Sequence, residues 1–226
     1  MVVPVAAAGV AASAIAVVAT VTVTDASGPG YVTAWPCDEP RPTASVLNHG
    51  AGAPAAGTAV VSVAADGTIC LFTFSPAHLL VDVAGWFGAG SPLQPVNPTR
   101  LADTRATGDR LAPGGVLAVD APAVAATAVV TATAVNPAGP GYLTVYPCGT
   151  PPPVASTLNY EVSGVVANLA VVGVGPADAG GGSTHGQVCI TSYAAADVVV
   201  DLAGWAPPGT GYQPAGPVRL ADTRSP

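Results

Sequence analysis

The fold of this chain is decided by a short apolar stretch that occurs twice. Residues 80–86 read LVDVAGW, and residues 199–205 read VVDLAGW. After a proline-containing spacer, each stretch is followed by the same string, RLADTR, at residues 100–105 and 219–224. A string that returns unchanged after a similar spacer indicates internal duplication. The chain is therefore predicted to contain two copies of one structural unit.

The duplication divides the 226 residues into two predicted domains. We call residues 1–108 repeat 1 and residues 109–226 repeat 2. Tyr31 matches Tyr142 at an offset of 111, and the offset becomes 119 after an insertion in the turn that follows Gly175. Each unit has an ordinary domain size and is long enough to bury its own core. An insertion at a loop tip leaves the frame of the domain intact.

The composition favours a β-rich protein. Half of the residues are hydrophobic, only 8% are charged, and alanine, valine, glycine, proline and threonine dominate. Residues 20–24 alternate threonine with valine, which is typical of a half-buried strand, and Asp66-Gly67 is a strong hairpin signal. About seven short strands per repeat, separated by Gly/Pro turns, predict two tandem antiparallel β-sandwich domains of immunoglobulin-like or jelly-roll-like type.

The apolar segment at residues 5–23 resembles a signal peptide or a membrane span by length alone. It aligns without gaps onto residues 116–134, deep inside the chain, where a cleavable leader has no role. Both segments are therefore predicted to contain strands, with no membrane insertion. We expect an export signal to lie upstream of this chain in the natural precursor.

The four cysteines occupy matching places in the two repeats. Cys37 and Cys70 form one pair, and Cys148 and Cys189 form the other. One disulfide in each domain is predicted, which implies an oxidising compartment. The closely spaced pairs that structural zinc requires are absent from the sequence. In the chain-entropy view, closing each loop stabilises its domain by about 3–4 kcal/mol.

Charge excludes several classes of partner. The net charge is −7, and the chain contains no lysine. Such a surface repels nucleic-acid phosphates and anionic lipid headgroups. The sequence also lacks a dense run of oxygen ligands for calcium, so no metal and no cofactor are predicted.

Catalysis has little support in the sequence. His49, His78 and His185 face Tyr160, Asp197 and Asp66 in the other copy, so no histidine recurs. Nucleophile-elbow, zinc-protease and P-loop motifs are absent. The chain is predicted not to be an enzyme, and a secreted hydrolase remains an alternative.

Four aromatic residues are candidates for contact with a glycan. Trp35 and Tyr146 lie next to the first cysteine of each repeat, and Trp86 and Trp205 close the LVDVAGW-type stretches. Packing in the core or against a disulfide is the favoured interpretation, because sandwich domains use aromatic rings in this way. Contact with a glycan is the alternative.

Two aspartates stand in apolar strands and need charged partners. The strand alternation places Asp82 and Asp201 on the face opposite the core, together with Trp86 and Trp205. Only six arginines are available, and four of them belong to the two RLADTR strings.

A covered carboxylate needs charge-assisted hydrogen bonds. We therefore expect Arg100 or Arg105 to pair with Asp82, and Arg219 or Arg224 to pair with Asp201. These ion pairs are predicted to be structural rather than catalytic.

The string can pack on the repeat before it or on the repeat after it. The favoured prediction places it on the preceding repeat, so that each copy is complete. If the string packed on the following repeat, repeat 1 would have no string packed on it, and the string at residues 219–224 would have no repeat to pack on. Such an arrangement would favour head-to-tail association.

Motifs that cover nearly the whole chain resemble those of secreted and cell-wall repeat proteins of high-GC Gram-positive bacteria. They are GYLTVYPCG at residues 141–149, STLN at 156–159, ADVVVDLAGW at 196–205 and RLADTR at 219–224, with weaker counterparts in repeat 1. Ala102 and Ala221 replace the commoner second leucine. The resemblance implies an extracellular or cell-wall location and tandem use, and it assigns no catalytic residue.

The function expected from the sequence is a structural or adhesive module. Its partners would be a cell-surface glycan, a protein or further copies of itself. A carbohydrate-binding module is the first alternative.

Overall fold

The computed structural model describes residues 1–52, 54–177 and 185–209 and is built almost wholly from antiparallel strands. Repeat 1 contributes eight strands: β1 Val2–Pro4, β2 Ala14–Thr24, β3 Gly30–Pro36, β4 Leu47–His49, β5 Ala55–Ser62, β6 Thr68–Thr73, β7 His78–Gly88 and β8 Gln94–Asp103. Repeat 2 contributes seven: β9 Val116–Asp120, β10 Thr127–Val135, β11 Gly141–Pro147, β12 Leu158–Tyr160, β13 Val165–Gly173, β14 Gln187–Ser192 and β15 Asp197–Ala206. A single helical turn, α1 (Thr104–Thr107), follows β8.

Each repeat is a pair of packed sheets. In repeat 1 the strand orders are β1-β6-β3-β4 and β5-β2-β7, and in repeat 2 they are β12-β11-β14-β9 and β13-β10-β15-β8. The core of repeat 1 contains Val17, Val21 and Leu71, and that of repeat 2 contains Val130 and Ile190. The predicted fold class, two tandem antiparallel β-sandwiches, is confirmed.

Both predicted disulfides are present. Cys37–Cys70 and Cys148–Cys189 each join the end of one strand to its neighbour in the same sheet, with Cα atoms 5.0 Å apart in both pairs. The Trp35↔Cys70 and Tyr146↔Cys189 pairs of β3–β6 and β11–β14 explain this proximity, because directly opposed residues of antiparallel strands lie close together.

The apolar segment near the N-terminus contains a central strand, as predicted. Residues 14–24 form β2, which pairs on both sides, and their counterpart is β10. Residues 5–8, however, form a short 3₁₀ turn rather than a strand. Among the described residues, no helix is long and apolar enough to cross a membrane.

The two repeats pack through apolar side chains on the outer faces of their sheets. Ala16 and Val60 of repeat 1 contact a cluster that includes Val129 and Ala203 of repeat 2. Leu93, in the connection between β7 and β8, is buried in the same cluster. The connection between the sandwiches is therefore a packed interface and not a free linker.

Candidate functional site

The most informative site is the place where a strand of repeat 1 enters repeat 2. β8 pairs antiparallel with β15, with Val199 opposite Asp103 and Asp201 opposite Arg100. Residues 100–103 of the first RLADTR string thus lie in β8, the edge strand of a sheet whose other members all come from repeat 2. We call this arrangement the strand junction.

The strand junction corrects the prediction that the string packs on the repeat before it. The residues that cross are held by burial of Leu93 between the repeats and by a close approach at Gly204. A Cβ built on Gly204 would lie 3.1 Å from the Gln94 carbonyl oxygen and 3.4 Å from Pro95 Cα. Glycine at this position therefore lets the incoming backbone lie against β15. The predicted domain boundary at residue 108 consequently lies after β8, a strand that belongs to a sheet of repeat 2.

Arg100 is the centre of the strand junction. Its Nε donates to Asp201 Oδ1 at 2.7 Å and its Nη2 donates to Asp201 Oδ2 at 3.3 Å, which makes a two-pronged contact. Nη1 donates to Asp103 Oδ2 at 3.0 Å, and Nη2 also reaches the Thr43 carbonyl oxygen of repeat 1 at 3.3 Å. One guanidinium group thereby joins β15, its own strand and the body of repeat 1. Paired charge-assisted bonds of this kind are strong and geometrically specific.

Arg100 and Arg105 therefore do not pair with Asp82, so that prediction is wrong. Arg105 instead donates to Asp103, at 2.6 Å from Nη2 to Oδ2. Asp201 does form an ion pair with an arginine, but its partner among the described residues is Arg100 of the first string. The predicted partners Arg219 and Arg224 lie outside the described residues.

The segment after β8 extends the strand junction along β15. The Asp103 carboxylate accepts from the Arg105 backbone N–H and caps α1. Thr104 Oγ1 donates to Asp197 Oδ1 and accepts from the Val198 backbone N–H. Arg110 forms a second ion pair with Asp197. The first residues of β15 are therefore held by two side chains of the incoming segment, those of Thr104 and Arg110.

Charge and burial act in opposite directions on the two carboxylates of the strand junction. The hydrogen bonds and charge of Arg105 lower the pKa of Asp103 from 3.8 to about 2. Burial raises the pKa of Asp201, and the hydrogen bonds from Arg100 oppose that increase. Asp103 therefore stabilises the fold as an anion, whereas Asp201 depends on Arg100 to remain one.

Trp86 and Trp205 do not share a face with the aspartates, contrary to the prediction. Val130 lies opposite Leu202 and Val129 lies opposite Gly204, so Ala203 is an extra residue in a β-bulge. A bulge shifts the side-chain alternation by one residue. Trp205 accordingly packs against the core of repeat 2. The same bulge in β7 lies at Ala84.

The predicted aromatic residues fall into different environments. Tyr146 is buried beside Cys148 and Cys189, and this burial raises the pKa of its hydroxyl. Trp35 is half-buried, and its indole N–H donates to the Glu39 carbonyl oxygen. Trp86 is exposed. Tyr146 is therefore unavailable to a glycan, and of the four only Trp86 presents a largely accessible ring.

Two exposed ring pairs were missed by the sequence reasoning. Tyr31 stacks with Phe74 at 5.5 Å between ring centroids, and Tyr142 stacks with Tyr193 at 5.2 Å. Phe74 and Tyr193 are 64% and 62% exposed. The signal that could have found them is their recurrence: aromatic residues occupy these equivalent positions in both repeats.

The Tyr31–Phe74 pair borders a groove between the repeats. This groove has a volume of about 810 Å³ and is also lined by His49, Arg105 and Glu161. His49 is buried, its Nδ1 lies 3.0 Å from the Gly50 carbonyl oxygen, and its Nε2 has no hydrogen-bond partner among the described residues. Within the described part of the chain, no cluster of three or more His, Cys, Asp or Glu side chains could hold a metal ion. The groove thus offers rings and a few polar groups to a ligand.

Comparison with protein-family models, curated proteins and solved structures finds no match to this chain.

Proposed function

We propose that this chain is a non-enzymatic structural module of an extracellular or cell-surface protein, in which tandem sandwich repeats are joined by strand exchange. The strand junction carries this proposal, because the chain passes between repeats as a hydrogen-bonded strand fixed by Arg100 and Asp201. A connection of this kind holds neighbouring domains in one arrangement. The disulfide in each repeat supports an oxidising location.

Limited proteolysis under native conditions tests the structural part of the proposal. The wild-type chain should resist cleavage at residues 93–103, because Leu93 is buried between the repeats and β8 is paired with β15. Arg100→Ala should make this segment the first to be cut. Arg105→Ala is the matched control and should leave the pattern unchanged, since among the described residues the Arg105 side chain forms its hydrogen bonds with Asp103 of its own segment. Rapid cleavage of the wild-type chain at residues 93–103 would contradict the proposal.

Fractionation of producing cells tests the location. The native protein should appear in the cell-wall or culture fraction, with both disulfides formed, and should be digested by protease added to intact cells. Recovery from the cytoplasm with free thiols would overturn the extracellular part of the proposal and leave the strand junction untouched.

Carbohydrate binding is the second candidate function, and the exposed ring pairs favour it. Aromatic side chains supply much of the energy of binding sites, and Phe74 presents its ring beside a groove. A glycan array should then give a hit that Phe74→Ala abolishes. Val154→Ala, at an exposed apolar position that belongs to neither ring pair, is the control. Absence of any glycan hit, or a hit that survives Phe74→Ala, removes this candidate.

A further inference from the structure

One repeated motif has a role that the strand junction does not explain. It reads SVLN at residues 45–48 and STLN at residues 156–159, and it ends in Asn48 and Asn159. These asparagines lie at matching positions of the short strands β4 and β12. Although they belong to different repeats, both line the groove between the repeats. The motif therefore places two carboxamide groups in one groove.

Resting on the second candidate function, carbohydrate binding, we propose that this groove binds a neutral oligosaccharide through side chains of both repeats. A sugar ring stacks on Phe74 of repeat 1. Hydroxyl groups of the oligosaccharide form hydrogen bonds with the carboxamides of Asn48 and Asn159. The site then depends on the arrangement of the two repeats that the strand junction fixes.

Phe74 supplies the apolar part of the site. Its ring is 64% exposed, and stacking against Tyr31 holds it at the groove. A large, fixed aromatic face of this kind can cover the apolar C–H face of a sugar ring. The groove volume of about 810 Å³ lies within the range of about 300–1,000 Å³ that is typical of small-molecule sites. The equivalent rings of repeat 2, Tyr142 and Tyr193, are not among the residues that line the groove.

The polar side chains of the groove suit hydroxyl groups. A carboxamide has N–H donors and a carbonyl acceptor, so it can both donate to and accept from neighbouring hydroxyl groups. Asn48 Nδ2 donates to Ser45 Oγ at 3.2 Å, which orients its carboxamide. Asn159 and Glu161 are exposed side chains of repeat 2 on the same groove. Donors and acceptors are therefore presented from both repeats.

His49 adds a polar atom that lacks a donor. Its Nδ1 lies 3.0 Å from the Gly50 carbonyl oxygen, which can only accept, so Nδ1 donates and Nε2 of the neutral ring is an acceptor. Nε2 has no partner among the described residues, and a Cβ built on Gly30, another residue of the groove, would lie 3.1 Å from it. A buried acceptor without a hydrogen bond is unfavourable. Hydroxyl groups are donors of the kind that this atom lacks.

Charge favours a neutral sugar over an acidic one. Arg105, which lines the groove, is already ion-paired with Asp103 at 2.6 Å. Among the described residues that line the groove, no unpaired arginine or lysine is left for a carboxylate or sulfate group. Glu161 adds a negative charge to the groove, and the whole chain carries a net charge of −7. An acidic oligosaccharide would therefore be repelled.

Isothermal titration calorimetry of the full chain tests the proposal, with neutral oligosaccharides of glucose, mannose and N-acetylglucosamine and with oligogalacturonate as the acidic probe. At least one neutral oligosaccharide should bind, and oligogalacturonate should not. Phe74→Ala and Asn159→Ala each remove one groove contact, from repeat 1 and repeat 2 respectively, and each should weaken binding by about tenfold or more. Tyr193→Ala removes the ring equivalent to Phe74 outside the groove and should bind like the wild type. All three side chains are exposed, so thermal unfolding should be unchanged.

Absence of binding by every neutral oligosaccharide would overturn the proposal, as would binding of oligogalacturonate as tightly as the best neutral one. Equal weakening by Tyr193→Ala and Phe74→Ala would place the sugar on the ring pairs instead of the groove. Unchanged binding by Asn159→Ala would exclude a site shared by both repeats. In these last two cases carbohydrate binding itself stands and only the groove proposal fails. The structural function is tested separately, by proteolysis at residues 93–103.

Discussion

At the residue scale, two arginines of one string form ion pairs that contribute differently to stability. Arg100 reaches across to a buried carboxylate, whereas Arg105 contacts Asp103 of its own segment and is half exposed. Breaking a buried ion pair leaves an uncompensated charge and costs about 3–5 kcal/mol, while an exposed pair contributes less than about 1 kcal/mol. The contribution of each arginine to stability therefore depends more on the carboxylate with which it pairs than on its position in the string.

Arg100→Ala should lower the free energy of unfolding at neutral pH by about 2–4 kcal/mol, because Asp201 is left buried without its hydrogen-bonding cation. Arg105→Ala should cost less than about 1 kcal/mol. Burial already raises the pKa of Asp201, so loss of Arg100 raises it further. The penalty of Arg100→Ala should consequently shrink as the pH falls and Asp201 becomes protonated. Denaturant unfolding at several pH values measures both effects, and a penalty independent of pH would contradict them.

Asp103 should give the fold an acid-sensitive component. Because Arg105 lowers the pKa of Asp103 from 3.8 to about 2, the folded state favours the anion. This stability is fully present above pH 3.8 and is lost as the pH falls towards about 2. Asp103→Asn should therefore flatten the dependence of unfolding free energy on pH in this window. Equal slopes for the variant and the wild type would show that Asp103 is not the group responsible.

At the scale of elements, the positions of strands were largely predictable and their partners were not. Period-two alternation and Gly/Pro turns placed β2, β3, β10 and β11, and the recurrence of cysteines predicted which strand ends are joined. The sheet that β8 joins could not be predicted from these patterns, because the same string can pair with an acceptor strand in either repeat. Gly204 marks the close approach of another backbone, but Gly85 occupies the same place in β7, so the glycine does not show which repeat receives β8.

The disulfides act on the sheets that contain β3 and β11. Cys148→Ala with Cys189→Ala should reduce the stability of the chain by about 3–4 kcal/mol, because the bridge closes a loop of 41 residues in the unfolded state. Tyr146 also loses the bridge against which its ring packs. The matched control removes Cys37 and Cys70, whose separation is 33 residues, and should cost a similar loop entropy without affecting Tyr146. Unchanged thermal unfolding of both double variants would contradict this account.

At the scale of the whole molecule, the duplication of sequence does not produce two equivalent environments. Asp82 and Asp201 occupy matching positions, yet one is exposed and the other is buried, because β8 and the outer face of repeat 1 cover only the second. The same applies to the aromatic residues: the bulge at Ala203 turned Trp205 toward the core, and a two-residue alternation could not reveal it. Burial at these positions is set by neighbours from the other repeat, which a local pattern does not specify.

The central claim is that the first RLADTR string completes the sheet of repeat 2. Two double-mutant cycles on the full chain test it most directly, one joining Arg100 to Asp201 and one joining Arg100 to Asp82, each with alanine substitutions. Contacting residues in one ion pair show coupling, whereas separated residues are additive within about 0.5 kcal/mol. We predict a coupling of at least about 1 kcal/mol for Arg100 with Asp201 and additivity for Arg100 with Asp82. Coupling of Arg100 to Asp82, with additivity toward Asp201, would show that the string packs on its own repeat and would contradict the account.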